Sequence, residues 1–227
     1  MSGIATTIAI AGELEIPLSV RSLTDFREWV CSEEFPERGR IDYIQGRIEV
    51  DMSPEGFWFH AQPKTEVARV IANVVKARRL GYVGIDCTRF SSELGDISAE
   101  PDVVLVKSES LLSGKVRLST AADSEDFVEI EGGPDLVVEV VSKSSVKKDM
   151  KRLPPAYFDA GIEEFWLIDV RPKKFLFQIH RRGKTKWKPA ATRPDGSQHS
   201  TVLDRRYGLE QHAEPGGVWT YDLIGTM

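Results

Sequence analysis

The sequence predicts an α/β fold in which helices flank a mixed β-sheet, with an N-terminal and a C-terminal β-hairpin. Two Val-rich runs, at 100–106 and 133–142, each contain a Pro-Asp pair and are short and bounded by Gly or Pro, as buried strands are. Apolar residues on both faces place such strands in the middle of a sheet covered by helices. A helical segment between the second run and a third apolar strand at 164–169 predicts a right-handed βαβ unit.

The N-terminal elements follow from capping residues and periodicity. In chain order they are a helix at 23–32, a hairpin at 40–44 and 47–51, and a long helix at 63–80. Ser22 or Thr24 can cap the first helix, and the hairpin alternates apolar and polar residues. Pro63 suits the first turn of the long helix, and Gly81 is expected to end it.

The later elements are marked by Gly and Pro. They are a strand at 82–90, a polar stretch at 107–132 with a short helix near Ser110, a proline-interrupted helix ending at Gly161, and a hairpin at 174–179 and 184–188. Pro154 is expected to disfavour helical geometry at Leu153. The remainder, from 189 to 227, is polar and carries two short apolar patches.

Length and composition indicate one globular domain. The 227 residues divide into an N-terminal extension (1–19), the main domain (20–210) and a C-terminal tail (211–227). Cys31 and Cys87 have no metal-site or disulfide-framework spacing. No segment reads as a signal peptide or a membrane span, which predicts a cytoplasmic protein with no membrane partner.

The charge distribution leaves nucleic-acid binding open. A net charge of −5 does not suit a protein that coats nucleic acid, but Lys and Arg are clustered at 76–79, 147–152 and 181–188. Phosphate contacts need a local positive face and not a positive total. For any single cluster, a solvated helix end or hairpin tip is the favoured explanation.

A carboxylate in the second Val-rich run points to a site. Glu139 lies among apolar residues, and a buried carboxylate needs a cation, a partner or a proton. Asp135 shares its face but lies roughly 13 Å along the strand, too far to hold the same ion. Asp102 can reach Glu139 if the two strands are neighbours. Alternatively, both Pro-Asp pairs shape turns, and Glu139 meets a structural Arg or Lys.

The segment 133–142, followed by Asp149, Tyr157 and the segment 160–169, resembles the signature of the Uma-type restriction endonucleases, bacterial members of the PD-(D/E)XK nuclease superfamily. The resemblance implies a restriction-endonuclease-like core that hydrolyses DNA phosphodiester bonds with Mg²⁺ or Mn²⁺. It assigns the acidic metal ligands to Asp102 and Glu139, and the carbonyl of Val140 is expected to add a third oxygen. Asp42 stands where the family has a Glu and is expected to assist.

The lysine of this superfamily is not at either usual position. Val141 stands two residues after Glu139, and Leu153 stands where the family places a lysine on the next helix. Lys151 is the preferred substitute, because Pro154 could let the preceding segment turn inward, and Lys148 is the second choice.

Other candidates carry less weight. A structural role is favoured for His60. Asp149 is expected to cap a helix or to bridge to a neighbouring Lys, and Glu66 is expected to lie at a solvated position on the long helix.

The sequence therefore predicts a metal-dependent DNA endonuclease. A homodimer is expected because two cuts on a duplex need two sites. One alternative is a catalytically degenerate protein that kept the fold and binds nucleic acid or another partner. Another is an enzyme of different chemistry that uses the same carboxylate pair.

Overall fold

The computed structural model describes residues 7–10, 14–36, 38–120 and 126–226. These contain four α-helices: α1 (Leu23–Val30), α2 (Gln62–Arg78), α3 (Ser108–Leu112) and α4 (Leu153–Asp159). Two π-helical segments, Phe57–Ala61 and Lys148–Arg152, lead directly into α2 and α4. No helix of the described chain is long and apolar enough to cross a membrane.

The strands of the described residues are, in chain order, β1 (Thr7–Ile10), β2 (Leu14–Pro17), β3 (Arg40–Ile44), β4 (Arg47–Asp51), β5 (Gly81–Ile85), β6 (Arg89–Ser92), β7 (Ile97–Ala99), β8 (Val103–Lys107), β9 (Arg117–Thr120), β10 (Phe127–Glu131), β11 (Leu136–Val140), β12 (Glu164–Asp169), β13 (Leu176–Arg182), β14 (Trp187–Pro189), β15 (Gln198–Ser200), β16 (Arg205–Glu214) and β17 (Val218–Thr226).

Two six-stranded mixed sheets form the body of the structure. The first has the order β14-β13-β12-β11-β8-β5, and the second has the order β4-β3-β7-β6-β10-β9. In the first sheet β11 and β12 run parallel with α4 between them in the chain, while β8 pairs antiparallel with β11. The predicted βαβ pairing of these two strands is therefore confirmed, as is the mixed α/β class.

The central strand β11 separates two apolar cores. Its residues Leu136, Val138 and Val140 face a core shared with α2 and the sheet β15-β16-β17. The alternate residues Val137 and Val141 face a second core with α4. Since side chains alternate along a strand, Glu139 lies on the α4 face.

Several local predictions are confirmed. The hairpin β3–β4 and the strand β12 have the predicted bounds. Ser22 caps α1, and its side chain and that of Asp25 form a capping box. The short helix near Ser110 is α3.

Other predictions were wrong. The single strand expected at 82–90 is two strands, β5 and β6, in different sheets, because the chain turns at Asp86 and Cys87 with φ of 35° and 31°. The long helix ends at Arg78, and the left-handed residue after it is Arg79, while Gly81 begins β5. The polar stretch at 107–132 also holds the paired strands β9 and β10, with residues 121–125 outside the described ranges.

The C-terminal residues form a sheet that the polar composition did not indicate. Tyr207 on β16 and Leu223 on β17 are buried in the core against α2. The predicted boundary between domain and tail at 210/211 falls inside β16. At the other end of the chain, Leu14 and Ile16 of β2 pack into a separate core with α1.

The C-terminal sheet is expected to contribute to global stability. Leu223 is 4% exposed, and its neighbour Ile224 is 43% exposed. Leu223→Ala should lower the free energy of unfolding by about 2–5 kcal/mol, because it leaves a cavity in the core, whereas Ile224→Ala should cost about 0.5 kcal/mol or less. Urea denaturation of both variants measures the difference. Equal small effects would show that the C-terminal strands are not part of the cooperative unit.

Candidate active site

Asp102 and Glu139 lie side by side on neighbouring strands. The antiparallel register pairs Val138 of β11 with Val103 of β8, so the next residue on β11 lies opposite the residue before β8. Both carboxyl groups are buried, at 1% exposure. The backbone N–H of Val140 donates to Asp102 Oδ2 at 2.8 Å. Since the N–H and C=O of one strand residue point to the same edge, the Val140 carbonyl faces Asp102 too. The predicted neighbouring position of the two strands is confirmed.

Asp102 is held in its charged form. Arg40 Nη2 lies 3.2 Å from Oδ1, and His60 Nε2 lies 3.5 Å from Oδ2. Burial raises the pKa of Asp102, but His60, Arg40 and the Val140 N–H outweigh it and bring the pKa to about 2. The pKa of His60 is raised in turn: burial lowers it, and the contacts with Asp102 and Glu55 more than compensate.

Glu139 is in the opposite electrostatic situation. Burial, followed by the charges of Asp102 and Asp149, raises its pKa well above the usual value for a glutamate. The hydroxyl of Tyr157, on α4, donates to Glu139 Oε1 and fixes the orientation of the carboxyl group. The pair thus combines a carboxylate that stays charged with a neighbour that is driven to take up a proton or a cation.

The π-helical segment before α4 brings Lys148 and Asp149 to the same place. Lys148 is buried, with Nζ 2.8 Å from Asp42 Oδ2. Burial lowers the pKa of Lys148, but Asp42, Glu139 and Asp149 outweigh that and raise it. Asp149 Oδ2 accepts from Ser145 Oγ, while its Oδ1 is buried and has no hydrogen-bond partner in the described part of the chain. Burial raises the pKa of Asp149 to about 7.

Lys151 is exposed on the π-helical segment and forms no ion pair with a carboxylate of the described residues. The expectation that Pro154 turns this segment inward was wrong, because Leu153 has helical geometry at φ −65° and ψ −43°. Its N–H donates to the Lys148 carbonyl, and its side chain is buried, so the disfavoured geometry is held in place. Lys148 is therefore the lysine beside the carboxylates.

A second layer of charged residues surrounds Asp102. His60 Nδ1 lies 2.8 Å from Glu55 Oε1, and Lys64 Nζ donates to Asp86 Oδ1 at 2.7 Å. Lys64 also pairs with Glu55. His60 and Lys64 are four residues apart, which places them on one face of the helical segment. This i, i+4 spacing of His60 and Lys64 is visible in the sequence and could have predicted that the two side chains lie together.

Two acidic candidates lie elsewhere. Glu66 accepts the backbone N–H of Leu223 at 3.1 Å and pairs with Arg69, so it fastens β17 to α2. Asp135 accepts from the Lys107 N–H and the Ser110 hydroxyl at 2.7 Å each, which shapes the start of β11.

The donor set of the cluster suits a hard divalent cation. No group of three or more His, Cys, Asp or Glu side chains among the described residues is arranged to hold a metal. The ligands available are two carboxylates and one backbone carbonyl, from Asp102, Glu139 and Val140, which are the oxygen donors that Mg²⁺ and Mn²⁺ prefer. The raised pKa of Glu139, and the Oδ1 of Asp149, which has no hydrogen-bond partner in the described part of the chain, mark the side of the cluster where a cation would be taken up.

The fold, a mixed sheet whose central strands carry an Asp/Glu pair beside a lysine, is of the restriction-endonuclease-like class. A family model described as "Uma2: Putative restriction endonuclease" matches residues 23–210. The chain belongs to this family. The sequence resemblance to Uma-type nucleases is therefore confirmed.

Among solved structures, the chain is similar to a putative nuclease belonging to DUF820 from Anabaena variabilis ATCC 29413. The two share 21% sequence identity with a TM-score of 0.56, and the match covers 81% of this chain and 90% of the other. This similarity supports the fold. No curated protein matches the chain.

The stability of the protein should fall as the pH rises toward 7. The pKa of Asp149 rises from its ordinary 3.8 to about 7 on folding, so the stabilisation from its proton is complete below about 4 and is lost as the pH rises through about 7. The raised pKa of Glu139 acts in the same direction. Asp149→Asn should flatten the decline, because an amide does not titrate.

Urea denaturation in EDTA at a series of pH values measures this dependence. Asp159→Asn, which changes an exposed aspartate on α4, is the matched control and should keep the wild-type slope. If Asp149→Asn leaves the pH dependence unchanged, Asp149 does not bind a proton in the folded state.

Proposed function

We propose that the protein is a metal-dependent endonuclease that hydrolyses DNA phosphodiester bonds. The observation that carries the proposal is the adjacency of Asp102, just before β8, and Glu139 on β11, with Lys148 beside them. Membership of a family described as restriction endonucleases agrees with it. A purely structural role for this cluster is a weaker explanation, because burying Glu139 and Asp149 beside Asp102 costs stability unless they take up a proton or a cation.

Asp102, Glu139 and the carbonyl of Val140 are the groups that would hold Mg²⁺ or Mn²⁺. When bound, such an ion supplies Lewis acidity and positive charge for phosphodiester hydrolysis. Arg40 and His60 keep Asp102 ionised and fixed in orientation, and Tyr157 fixes Glu139. These contacts pre-organise both ligands, so that little reorganisation is needed when the ion binds.

Lys148 replaces Lys151 as the lysine of the active site, the role that the sequence-based hypothesis gave to Lys151. The ion pair with Asp42 keeps the Lys148 ammonium protonated and fixed in position. A fixed ammonium can donate hydrogen bonds to a phosphate oxygen or to the attacking water, and it stabilises the negative charge that develops during hydrolysis. Asp42 acts by positioning Lys148.

The carboxylate pair should be required for cleavage of DNA. Glu139→Gln and Asp102→Asn should each lower the cleavage rate at least about a hundredfold, as does the loss of one preorganised charge-stabilising group elsewhere. Supercoiled plasmid incubated with Mg²⁺ or Mn²⁺ provides the assay, and EDTA should abolish cleavage. Glu210→Gln on β16 is the matched control and should cleave at the wild-type rate. Wild-type activity in the Glu139→Gln variant would refute the assignment.

The two lysines of the π-helical segment should differ in importance. Lys148→Met should abolish cleavage, whereas Lys151→Met should leave the rate unchanged, since Lys151 is exposed. Because Lys148→Met leaves Asp42 buried without its partner, the double variant Lys148→Met/Asp42→Asn should recover stability but not activity. Plasmid cleavage and thermal melting of all three variants separate the catalytic effect from the structural one. Full activity in the stable double variant would exclude Lys148.

The homodimer remains a prediction. Cutting both strands of a duplex at one place would use two copies of the chain, and light scattering of the purified protein measures the number of copies.

A further inference from the structure

Three clefts adjoin the catalytic cluster, and they differ in charge. The first, of about 380 Å³, is lined by Asp42, Glu49 and Asp51 together with Lys148 and Arg40. The second, of about 430 Å³, is lined by four carboxylates, those of Asp51, Glu55, Asp86 and Glu100, together with the basic residues Arg38, Arg40, His60 and Lys64. Both clefts therefore mix carboxylates with cations, whereas a nucleic-acid strand carries one negative charge per nucleotide and is attracted most by a cleft without carboxylates.

The third cleft has no carboxylate among its lining residues in the described chain. It has a volume of about 920 Å³ and lies between the segment 53–60, the turn 142–144 and the loop 171–174. His60, which contacts Asp102, is part of its wall. At His60 this cleft therefore adjoins the carboxylate pair.

Two unpaired cations border the third cleft. Lys143 and Lys174 are exposed, and neither forms an ion pair with a carboxylate of the described residues. Arg171 also lines the cleft, but its guanidinium is paired with Asp169 at 2.8 Å. The two lysines are thus free to bind phosphate groups along a strand.

The floor of the third cleft is apolar. Pro54, Phe59 and Pro172 line it, and the ring of Phe59 is held with its centroid 5.5 Å from that of Trp219. A B-form duplex presents sugars and phosphates at its surface and keeps the faces of its bases stacked inside. An apolar floor between phosphate-binding lysines matches instead a strand whose bases are unstacked and can lie on it.

We propose that the third cleft binds the cleaved strand, with Lys143 and Lys174 on its phosphates and the unpaired bases next to the scissile phosphate on the floor of Pro54, Phe59 and Pro172. The inference rests on the proposed nuclease function and adds its substrate class, which is DNA that is single-stranded or locally unpaired at the cut. Lys143 and Lys174 are binding residues in this arrangement, and Asp102, Glu139 and Lys148 remain the catalytic ones.

Binding to the inactive Glu139→Gln variant in EDTA tests the inference without metal or cleavage. The probes are a short fluorescein-labelled single strand of DNA and the matching blunt duplex, followed by fluorescence anisotropy over a series of salt concentrations. We expect the single strand to bind more tightly than the duplex. Adding Lys143→Gln and Lys174→Gln should weaken single-strand binding about 25-fold at about 0.1 M salt and lower the salt slope by about 1.4, which corresponds to two lost phosphate contacts.

The matched control is Lys184→Gln with Lys186→Gln, which removes the same charge from two exposed lysines between β13 and β14. It should bind the single strand as the parent does. Equal losses in both double variants, or no loss in either, would overturn the inference, as would tighter binding of the duplex. Absence of any DNA binding would overturn it too, while plasmid cleavage by the wild-type protein would still support the proposed nuclease function.

Discussion

The burial of two carboxyl groups on adjacent strands is the constraint on which the site depends. Asp102 and Glu139 sit at the middle of a sheet that is apolar on both faces, where like charges repel strongly and water does not screen them. Arg40 and His60 contact the carboxylate of Asp102, and the hydroxyl of Tyr157 donates to that of Glu139. Each of these partners comes from a different element, so the hairpin β3–β4, the segment before α2 and the helix α4 must all meet at the same point for the pair to form.

Both π-helical segments carry polar side chains that lie beside the Asp102–Glu139 pair. The segment Phe57–Ala61 carries His60, and the segment Lys148–Arg152 carries Lys148 and Asp149. A π-helical turn is wider than an α-helical one and shifts the register of the following side chains, and such turns are frequent at functional sites. In the second segment it also accommodates Leu153 in helical geometry before Pro154. This segment thereby places Lys148, the lysine of the proposed mechanism, beside the carboxylates.

The carboxylate pair could be predicted from the sequence because both residues lie in or next to strands with a clear apolar pattern. Period and composition identified β8, β11 and β12, and the spacing along β11 excluded Asp135 in favour of Asp102 as the partner of Glu139. Lys148 was ranked below Lys151 because the helical geometry at Leu153 depends on packing and on a π-helical hydrogen bond that sequence does not reveal. Arg40 and Lys64 were missed for a related reason: they are ordinary basic residues locally and become significant only through contacts with Asp102 and Asp86.

The net charge of −5 is compatible with a nucleic-acid substrate because of where the charges lie. The two clefts beside Asp42 and Asp86 mix acidic residues with basic ones such as Arg40, Lys64 and Lys148, so their charges offset one another. The cleft bordered by Lys143 and Lys174 lacks carboxylates in the described chain, so the local field and not the total charge would direct a polyanion to one side of the cluster. A uniformly basic surface would bind DNA in many orientations. A single cationic approach would limit the orientations in which a phosphate can reach Glu139, and it would favour the geometry that the proposed hydrolysis needs.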